Sequence, residues 1–320
     1  MAIALIVARR VTHFVVVMAT VTWLAFLALA LLPGNPAYVL LGPSATPQAV
    51  RQIDRKLGLG GPILTRYWYW LDRAFHGNFG KSAITGQPVL QAIVQRLPET
   101  LELIILSQIV ALGIGVPLGI WAALHAGRRV DRVITTSALA MISVPTFVLG
   151  VVVVLVFSVK LHLFPASGYV PLSSSLAQNL RTMVLPSLTL AAGSGLVYTR
   201  VMRAGMIDTL RQPFILAARA KGMSRRHLIS HHAIRPSVTS LVTMGGIHIG
   251  YLIGGAFIIE EIFQLPGVGL LTVQSILGND YPMVQGVVVL VAAGFITINA
   301  IADGLQLIID PRLGSSRARH

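Results

Sequence analysis

The chain has 320 residues, of which 54% are hydrophobic and only 11% are charged, and its mean hydropathy is +0.75. Soluble domains carry about 25% charged residues, so this composition excludes an ordinary soluble protein and indicates a protein embedded in lipid. A net charge of +14 could indicate a nucleic-acid partner, but in a membrane protein excess Lys and Arg mainly report orientation, and we expect no nucleic acid. The absence of cysteine excludes disulfides and thiolate metal sites.

Six apolar segments are each long enough to cross about 30 Å of hydrocarbon as a helix. They lie at 11–32, 101–124, 133–158, 184–204, 239–262 and 284–306, and are called spans one to six. Arg9 and Arg10 before span one also fit a signal peptide, but its apolar run exceeds the roughly 7–15 residues of a signal-peptide core, so we expect it to be retained. The sequence therefore predicts an all-α polytopic membrane protein with six transmembrane helices and both termini on one side.

The distribution of Lys and Arg predicts the orientation. With a cytoplasmic N-terminus, sixteen of the 25 basic residues fall in cytoplasmic segments. Seven of the remaining nine lie in the long segment 33–98, which weighs less because long segments are translocated largely regardless of charge. The expected organisation is a cytoplasmic N-terminus with span one (1–32), an extracytoplasmic segment (33–98), a transmembrane core (99–309) containing a cytoplasmic loop (205–238), and a cytoplasmic tail (310–320).

The extracytoplasmic segment is too long for a simple connection, and we predict helices at 46–57 and 64–75. The aromatic run from Tyr67 to Trp70 fits either an interfacial belt or a landing surface for an extracytoplasmic partner protein.

Small residues recur at every fourth position in two spans, a pattern that allows close helix contact in lipid. They are Ala111, Gly115 and Gly119 in span two, and Gly246, Gly250 and Gly254 in span five. Pro117, Pro145 and Pro186 lie within spans two, three and four and can kink them. His248 in span five should face the bundle interior, either as a packed and hydrogen-bonded histidine or as a substrate ligand.

The basic loop between spans four and five carries helix signals. Pro213 suits a first helical turn, and Gly222 can supply the left-handed residue that ends the helix. Phe214, Ala217, Ala218 and Lys221 share one face at helical spacing. Ser224 can cap a second helix, which should end before Pro236.

Residue chemistry alone leaves three interpretations of this loop. It could be a solvated positive loop that touches anionic headgroups, or a docking element for a cytoplasmic protein. It could also be a metal site, because His227 and His231 have the spacing of helical zinc ligands, although no acid accompanies them.

The run "AARAKG" at 217–222 resembles the cytoplasmic loop signature of permease subunits of binding-protein-dependent ABC importers, with Leu216 at the family's usual Glu. Further runs follow in the order of the dipeptide/oligopeptide (peptide/nickel) branch of that family. They are "LLPGNPA" at 31–37, "RLPETLEL" at 96–103, "SVPTF" at 143–147, "GGAFIIEEIFQLPGVG" at 254–269, "DYPMVQG" at 280–286 and "DPR" at 310–312.

This resemblance implies a type I ABC importer permease-like fold in the cell membrane and a transport subunit that is not an enzyme. The chain would form half of a translocation pathway, and a homologous second permease would form the other half. Its other partners would be two ATP-binding subunits, an extracytoplasmic solute-binding protein and the surrounding membrane lipid. ATP and Mg would bind the partner subunits, and this chain would bind no cofactor and no metal. The loop would supply the helix that couples to the ATPase, with Pro213, Phe214, Ala217, Ala218, Lys221 and Gly222. The substrate stays open among dipeptides, oligopeptides, other peptide-like solutes and nickel.

The outer end of span five is the candidate mouth of the pathway. Glu260 and Glu261 either hold the following loop or line the mouth and attract a substrate amine. Pro266 and Gly267 signal a turn and Gly269 allows close backbone approach, so residues 260–269 are expected to fold back over the mouth.

Other functions have weaker signals. "GNFGKS" at 77–82 resembles a phosphate loop, but Phe75 stands where that motif needs its first glycine. An intramembrane hydrolase would have to use Ser194 and His248, which no local motif joins. A secondary transporter would need ionisable groups at the midplane, where these spans are nearly uncharged. Either alternative would act without an ATPase partner.

Overall fold

The protein is described here by a computed structural model that covers residues 2–31, 41, 45–57 and 61–309. Within these residues the ordered elements are helices, and the one strand-like pairing is an isolated antiparallel bridge between Lys81 and Pro88. The main helices are α1 Ala2–Leu31, α2 Pro47–Leu57, α3 Ile63–Phe75, α4 Val89–Leu124, α5 Arg129–Ile142, α6 Thr146–Val153, α7 Leu176–Leu210, α8 Pro213–Ala220, α9 Ile234–Phe263, α10 Val268–Leu277 and α11 Tyr281–Ile309.

The described helices agree with the prediction of a polytopic all-α membrane protein. Four segments are long and apolar enough to cross a membrane, namely Phe14–Leu31, Val89–Leu124, Leu176–Leu210 and Tyr281–Ala300. Two bent pairs, Arg129–Ile142 with Thr146–Lys160 and Gly250–Phe263 with Val268–Leu277, bring the candidate spans to six. The helices predicted at 46–57 and 64–75 are confirmed as α2 and α3. The run 310–312 lies outside the described residues.

Span three is broken rather than kinked. α5 ends at Ile142, and the helix that begins at Thr146 is bent by 102° from it. Pro145 has no N–H to donate and disfavours helical geometry at the residue before it, so it stands before the new helix and not inside one. Beyond Val153 the chain continues as a π-helical turn, in which the N–H of Leu161 donates to the carbonyl of Val156 at 3.0 Å. By contrast, α4 and α7 run without interruption through their internal prolines.

The chain forms two compact units, one from residues 1–99 and 266–296 and the other from 100–265 and 297–320. In the first unit, α3 packs on α1. The hydroxyl groups of Tyr67 and Thr22 are 2.9 Å apart, and the Tyr67 ring meets the Trp23 ring edge-on with centroids 5.0 Å apart. Trp70 is buried in the same cluster as Phe26.

A second contact of the first unit fixes the segment before α4. The Ser82 hydroxyl donates to the carboxylate of Asp280, which also accepts the N–H of Ala83 at 3.0 Å. The same carboxylate caps α11 by accepting the N–H of Met283 at 3.4 Å. The run "GNFGKS" at 77–82 thus leads into a hairpin closed by the Lys81–Pro88 bridge. The hairpin is hydrogen-bonded through Ser82 to Asp280, which precedes α11.

In the second unit, small residues bring α4 and α7 into backbone contact. A Cβ atom at Gly119 would lie 2.6 Å from the Thr199 carbonyl oxygen, and one at Gly115 would overlap the Gly195 carbonyl oxygen. Ala111 is buried one turn earlier on the same stripe, next to Gly195. The close packing that the sequence predicts for this stripe is therefore present.

Candidate functional site

The helix α8 begins and ends as its sequence signals require. Pro213 occupies its first position, and Gly222 beyond its C-terminus has a left-handed φ of 80°. The N–H of Met223 donates to the carbonyl of Ala218 at 3.3 Å, and the N–H of Gly222 to that of Arg219 at 3.0 Å. These two bonds form a Schellman motif, which closes the helix and turns the chain away from it.

The two faces of α8 have different surroundings. Ile215 is fully buried and Ala218 is nearly so. Phe214 is 47% exposed and Leu216 is 56% exposed, although both are large and apolar. The predicted face is therefore divided, since Ala218 points inward while its other members, Phe214, Ala217 and Lys221, are exposed. Leu216 is exposed together with these residues. Its place in the signature run of the family gave no indication of this exposure.

The buried side of α8 faces an apolar cluster, and the helix contacts the π-helical turn at Leu228–Ala233 that leads into α9. Ile215 and Ala218 belong to one apolar cluster with Met202 and Met206 of α7 and Leu241 of α9. A displacement of α8 is therefore expected to disturb the side chains of this cluster, because protein interiors are close-packed and transmit strain.

The chain from Ser224 to α9 differs from the prediction. The Ser224 hydroxyl caps the next turn by accepting the N–H of His227 at 3.4 Å, as expected. The prediction that this helix ends before Pro236 is wrong, because a π-helical turn at Leu228–Ala233 leads directly into α9. Pro236 lies three residues into α9, directly after the π-helical turn, and it has no N–H to donate there.

The solvent side of this loop is basic. Arg219, Lys221, Arg225 and Arg226 are all exposed. The rings of His227 and His231 stack with centroids 4.4 Å apart and an interplanar angle of 18°. No group of three or more His, Asp or Glu side chains around a possible metal position occurs within the described residues.

An ion pair that sequence analysis missed holds the start of α5 to α7. The Arg203 guanidinium donates two bonds to the Asp131 carboxylate, with an Nη2–Oδ2 distance of 2.8 Å. The same carboxylate accepts the N–H of Gly127 at 2.8 Å. The sequence did hold one signal for this ion pair, because Asp131 is a single acid in the basic run at 128–132. A buried acid needs a cationic partner.

The two glutamates at the end of α9 have different environments. Glu260 is fully buried, and the Thr100 hydroxyl donates to its Oε1 atom at 2.6 Å. Glu261 is only partly buried, and its Oε2 atom has no hydrogen-bond partner among the described residues.

The helix α9 ends without a glycine. Gln264 takes the left-handed conformation with a φ of 52°. The N–H of Leu265 donates to the Glu260 carbonyl at 2.9 Å, and the Gln264 side-chain amide donates to the Glu261 carbonyl at 2.7 Å. Residues 264–267 lie between α9 and α10, and the placement of residues 260–269 over the mouth of the pathway stays a prediction. Pro266 lies within it, Gly267 precedes α10, and Gly269 is buried inside α10.

The family comparison agrees with this geometry. Residues 115–315 match the family described as binding-protein-dependent transport system inner membrane component. Residues 3–104 match the N-terminal region of binding-protein-dependent transport system membrane components. The chain belongs to this permease family.

Relatives of the permease cover nearly its whole length. A probable peptide ABC transporter permease of Sinorhizobium fredii is 36% identical over 95% of this chain and 97% of its own. A glutathione transport system permease of Escherichia coli K12 is also 36% identical, over 96% of this chain and 98% of its own. Among solved structures, the inward-facing methionine ABC transporter MetNI matches 69% of this chain and 97% of its own at 18% identity, with a TM-score of 0.57. That similarity shows a shared fold.

Within the permease, the His248 ring lies near two tyrosine rings. Its ring is 5.7 Å from the Tyr198 ring and 6.0 Å from the Tyr251 ring, measured between centroids. The Tyr198 hydroxyl donates to the Gln108 side-chain carbonyl at 2.9 Å. Within the described residues, no hydrogen bond joins His248 to Ser194, the pair that a hydrolase would need.

The glycines of span five differ in how closely other parts of this chain pack against them. Gly250 is buried, whereas the Cβ position of Gly254 is open, with no atom of another residue within 4 Å. Gly246 lies in α9, and its surroundings are outside the described part of the chain.

A polar cluster of the permease that the sequence did not predict ties the loop before α7 to α4. Glu102 accepts hydrogen bonds from the Tyr169 hydroxyl and the Asn179 side-chain amide, both at 2.7 Å. Asn179 is fully buried and also donates to the Val170 carbonyl at 2.9 Å.

Proposed function

We propose that the chain is a membrane-spanning permease subunit of an ATP-driven peptide importer and forms half of its translocation pathway. Family membership and relatives named as peptide and glutathione permeases support this function. Peptides or peptide-like solutes are therefore the substrate class. The proposed location is the cell membrane, with both termini in the cytoplasm, because that orientation places most Lys and Arg inside.

The proposed assembly contains a homologous second permease, two ATP-binding subunits and an extracytoplasmic solute-binding protein. ATP and Mg belong to the ATP-binding subunits, which supply the energy. The exposed basic residues beside α8 would help to orient an acidic surface of such a subunit, since complementary charge steers association.

The division of α8 into a buried and an exposed face is the observation that carries the coupling proposal. Phe214 and Leu216 offer apolar contact area to a groove on the ATP-binding subunit. Ile215 and Ala218 place the same helix in an apolar cluster with side chains of α7 and α9. Movement of the ATP-binding subunit would thus pass through α8 to two transmembrane helices without any ATP site on this chain.

The two glutamates of α9 receive different proposed roles. Glu260 holds α9 to Thr100 of α4 and is structural. Glu261 is the acid proposed to draw a cationic group, such as the N-terminal amine of a peptide, into the pathway, because the residue is partly exposed and its buried Oε2 atom has no partner in the described chain.

The test is co-purification of an ATP-binding subunit with the tagged permease from membranes of its native host. Leu216→Glu should abolish recovery of that subunit and of ATPase activity, because a charge replaces an apolar contact. Leu172→Glu is the matched control, since Leu172 is equally exposed but lies in the loop before α7. Wild-type permease that transports peptides with no ATPase attached would support a secondary transporter and overturn the proposal.

A further inference from the structure

The helix α3 has three chemically distinct sides. One side carries Tyr67 and Trp70, which are buried against α1. A second carries Leu64, Trp68 and Phe75, which are large, apolar and exposed, with Trp68 at 61% and Phe75 at 82%.

The third side of α3 is polar. At 3.6 residues per turn, positions 64, 68 and 75 fall within roughly 40° of one another. Arg66 and Arg73 then lie on roughly the opposite side of the helix. α3 therefore has the composition of an amphipathic helix even after its packed side is set apart, because apolar and cationic residues occupy opposing sectors.

The contacts with α1 place α3 at membrane depth. Thr22, Trp23 and Phe26, which contact Tyr67, lie inside the apolar window Phe14–Leu31 and not beyond its end. Thr22 is nine residues before Leu31, which corresponds to about 13 Å along a helix with a rise of 1.5 Å per residue. Phe26 is five residues before Leu31, or about 7.5 Å along the helix, so the Tyr67 hydroxyl reaches the middle of the apolar window while its ring also packs nearer the Leu31 end. The side of α3 that carries Tyr67 therefore lies in the lipid half-layer that adjoins Leu31, not in bulk water.

Most of the surface of α1 is also exposed to lipid. Only 11% of its Phe14–Leu31 window is buried within the chain, as expected for a helix that faces lipid. The exposed apolar side of α3 thus borders a lipid-facing span. Exposed Trp and Tyr side chains are typical of the membrane interface, and Trp68 and Tyr69 are both exposed on α3.

The arginines fit the headgroup layer. The Arg66 guanidinium lies over the Phe26 ring at 5.8 Å, and that of Arg73 over the Tyr69 ring at 5.3 Å. The Arg73 Nε atom is buried and has no hydrogen-bond partner within the described chain. A lipid phosphate can reach only the terminal Nη groups of these arginines, and guanidinium suits it because several parallel N–H groups can bind the phosphate oxygens.

We propose that α3 is an interfacial helix that lies in the bilayer surface beside α1. Leu64, Trp68 and Phe75 insert among the acyl chains of the leaflet that adjoins Leu31, and Arg66 and Arg73 face the phosphate layer. This segment therefore anchors the chain to lipid, and its exposed aromatic residues are not a landing surface for a soluble protein.

The absence of native cysteine makes a direct test possible. Single cysteines at Trp68 and Phe75 on the apolar side, and at the exposed polar positions Thr65 and Asp72, which lie roughly 40–100° around the helix from that side, are spin-labelled in the full-length chain. The chain is reconstituted into nanodiscs of phosphatidylethanolamine and phosphatidylglycerol. Collision with oxygen, which concentrates in lipid, is compared with collision with a water-soluble nickel chelate.

We expect labels at 68 and 75 to collide several-fold more with oxygen than with the nickel chelate, and labels at 65 and 72 to show the reverse. High collision with the chelate at all four positions would mean a water-exposed helix and overturn the proposal. Low collision with both reagents at 68 and 75 would mean that protein covers them, which also overturns it. Oxygen preference at 68 but not at 75 would contradict an in-plane helix.

Discussion

The hydroxyl of Thr100 donates a 2.6 Å hydrogen bond to the fully buried carboxyl group of Glu260, which is 160 residues away in sequence. The bond joins α4 to the last turn of α9. It explains why an acid is found at the end of an apolar helix without requiring contact with a substrate.

Thr100→Val should lower the free energy of unfolding by about 1–3 kcal/mol, because a buried carboxyl group loses a hydroxyl donor. Thr100→Ser retains the hydroxyl and is the matched control. Thermal or denaturant unfolding of the purified chain in detergent measures the difference. Equal stability of the Val and Ser variants would show that the bond contributes nothing to holding α4 and α9 together.

Glu261→Gln should reduce uptake of peptides with a free N-terminal amine more than uptake of the same peptides after N-acetylation. The reason is that the substitution removes the negative charge but keeps the size of the side chain. Uptake into cells is compared for the two peptide forms, with co-purification of the ATP-binding subunit as the control for assembly. If both forms fall equally or neither changes, Glu261 has no role toward the amine.

Gly222→Val should uncouple transport while leaving the chain in the membrane. Gly222 has a φ of 80°, where a left-handed conformation costs an ordinary residue about 1–2 kcal/mol and a β-branched residue more. Gly222→Asn is the control, since Asn tolerates this conformation and no atom of another residue lies within 4 Å of the Cβ position. Peptide uptake per ATP hydrolysed is the measurement, and normal coupling in the Val variant would remove residues 213–222 from the coupling role.

Gly119→Ala should destabilise the chain by about 1–3 kcal/mol through overpacking, because its Cβ atom would lie 2.6 Å from a backbone oxygen and 2.7 Å from Met202 Cβ. Gly113→Ala on the same helix meets open space and should stabilise it by up to about 1 kcal/mol, since Ala favours helix over Gly. The two variants are compared by unfolding in detergent. The same sign of change in both would contradict close packing at Gly119.

The orientation can be tested with single cysteines and a membrane-impermeant maleimide. A cysteine at Ile84, in the segment 33–98, should be labelled in intact cells. A cysteine at Arg226, in the basic loop, should be labelled only after permeabilisation. Labelling at 226 in intact cells would reverse the proposed topology, whereas wild-type chain without cysteine gives the background.

Local chemistry accounts for what the sequence could predict. Pro213 and Gly222 bounded α8 correctly because a missing N–H and a left-handed conformation are properties of single residues. Helical period alone could not decide that Ile215 rather than Phe214 faces the core, because that depends on where neighbouring helices lie. The left-handed residue at the end of α9 is Gln264, which no propensity rule selects over the nearby Gly267.

Contacts between distant parts of the chain account for what was missed. Glu102 meets Asn179 across 77 residues, and Asp131 meets Arg203 across 72 residues. Neither pair has a spacing that a sequence motif could express. The route of the chain through Pro236 was missed because a π-helical turn adds one residue to a helical turn, which composition does not reveal.

The glycine contacts between α4 and α7 limit how these two helices can move relative to each other. Where Gly115 and Gly119 meet the Gly195 and Thr199 carbonyl groups, no layer of side chains separates the two backbones. Because no side chains lie between the two backbones there, rotamer changes cannot let one helix slide along the other. We therefore expect α4 and α7 to move together. In the proposed coupling, α8 shares an apolar cluster with Met202 and Met206 of α7, so a displacement of α8 would be expected to reach α7 and α4 together.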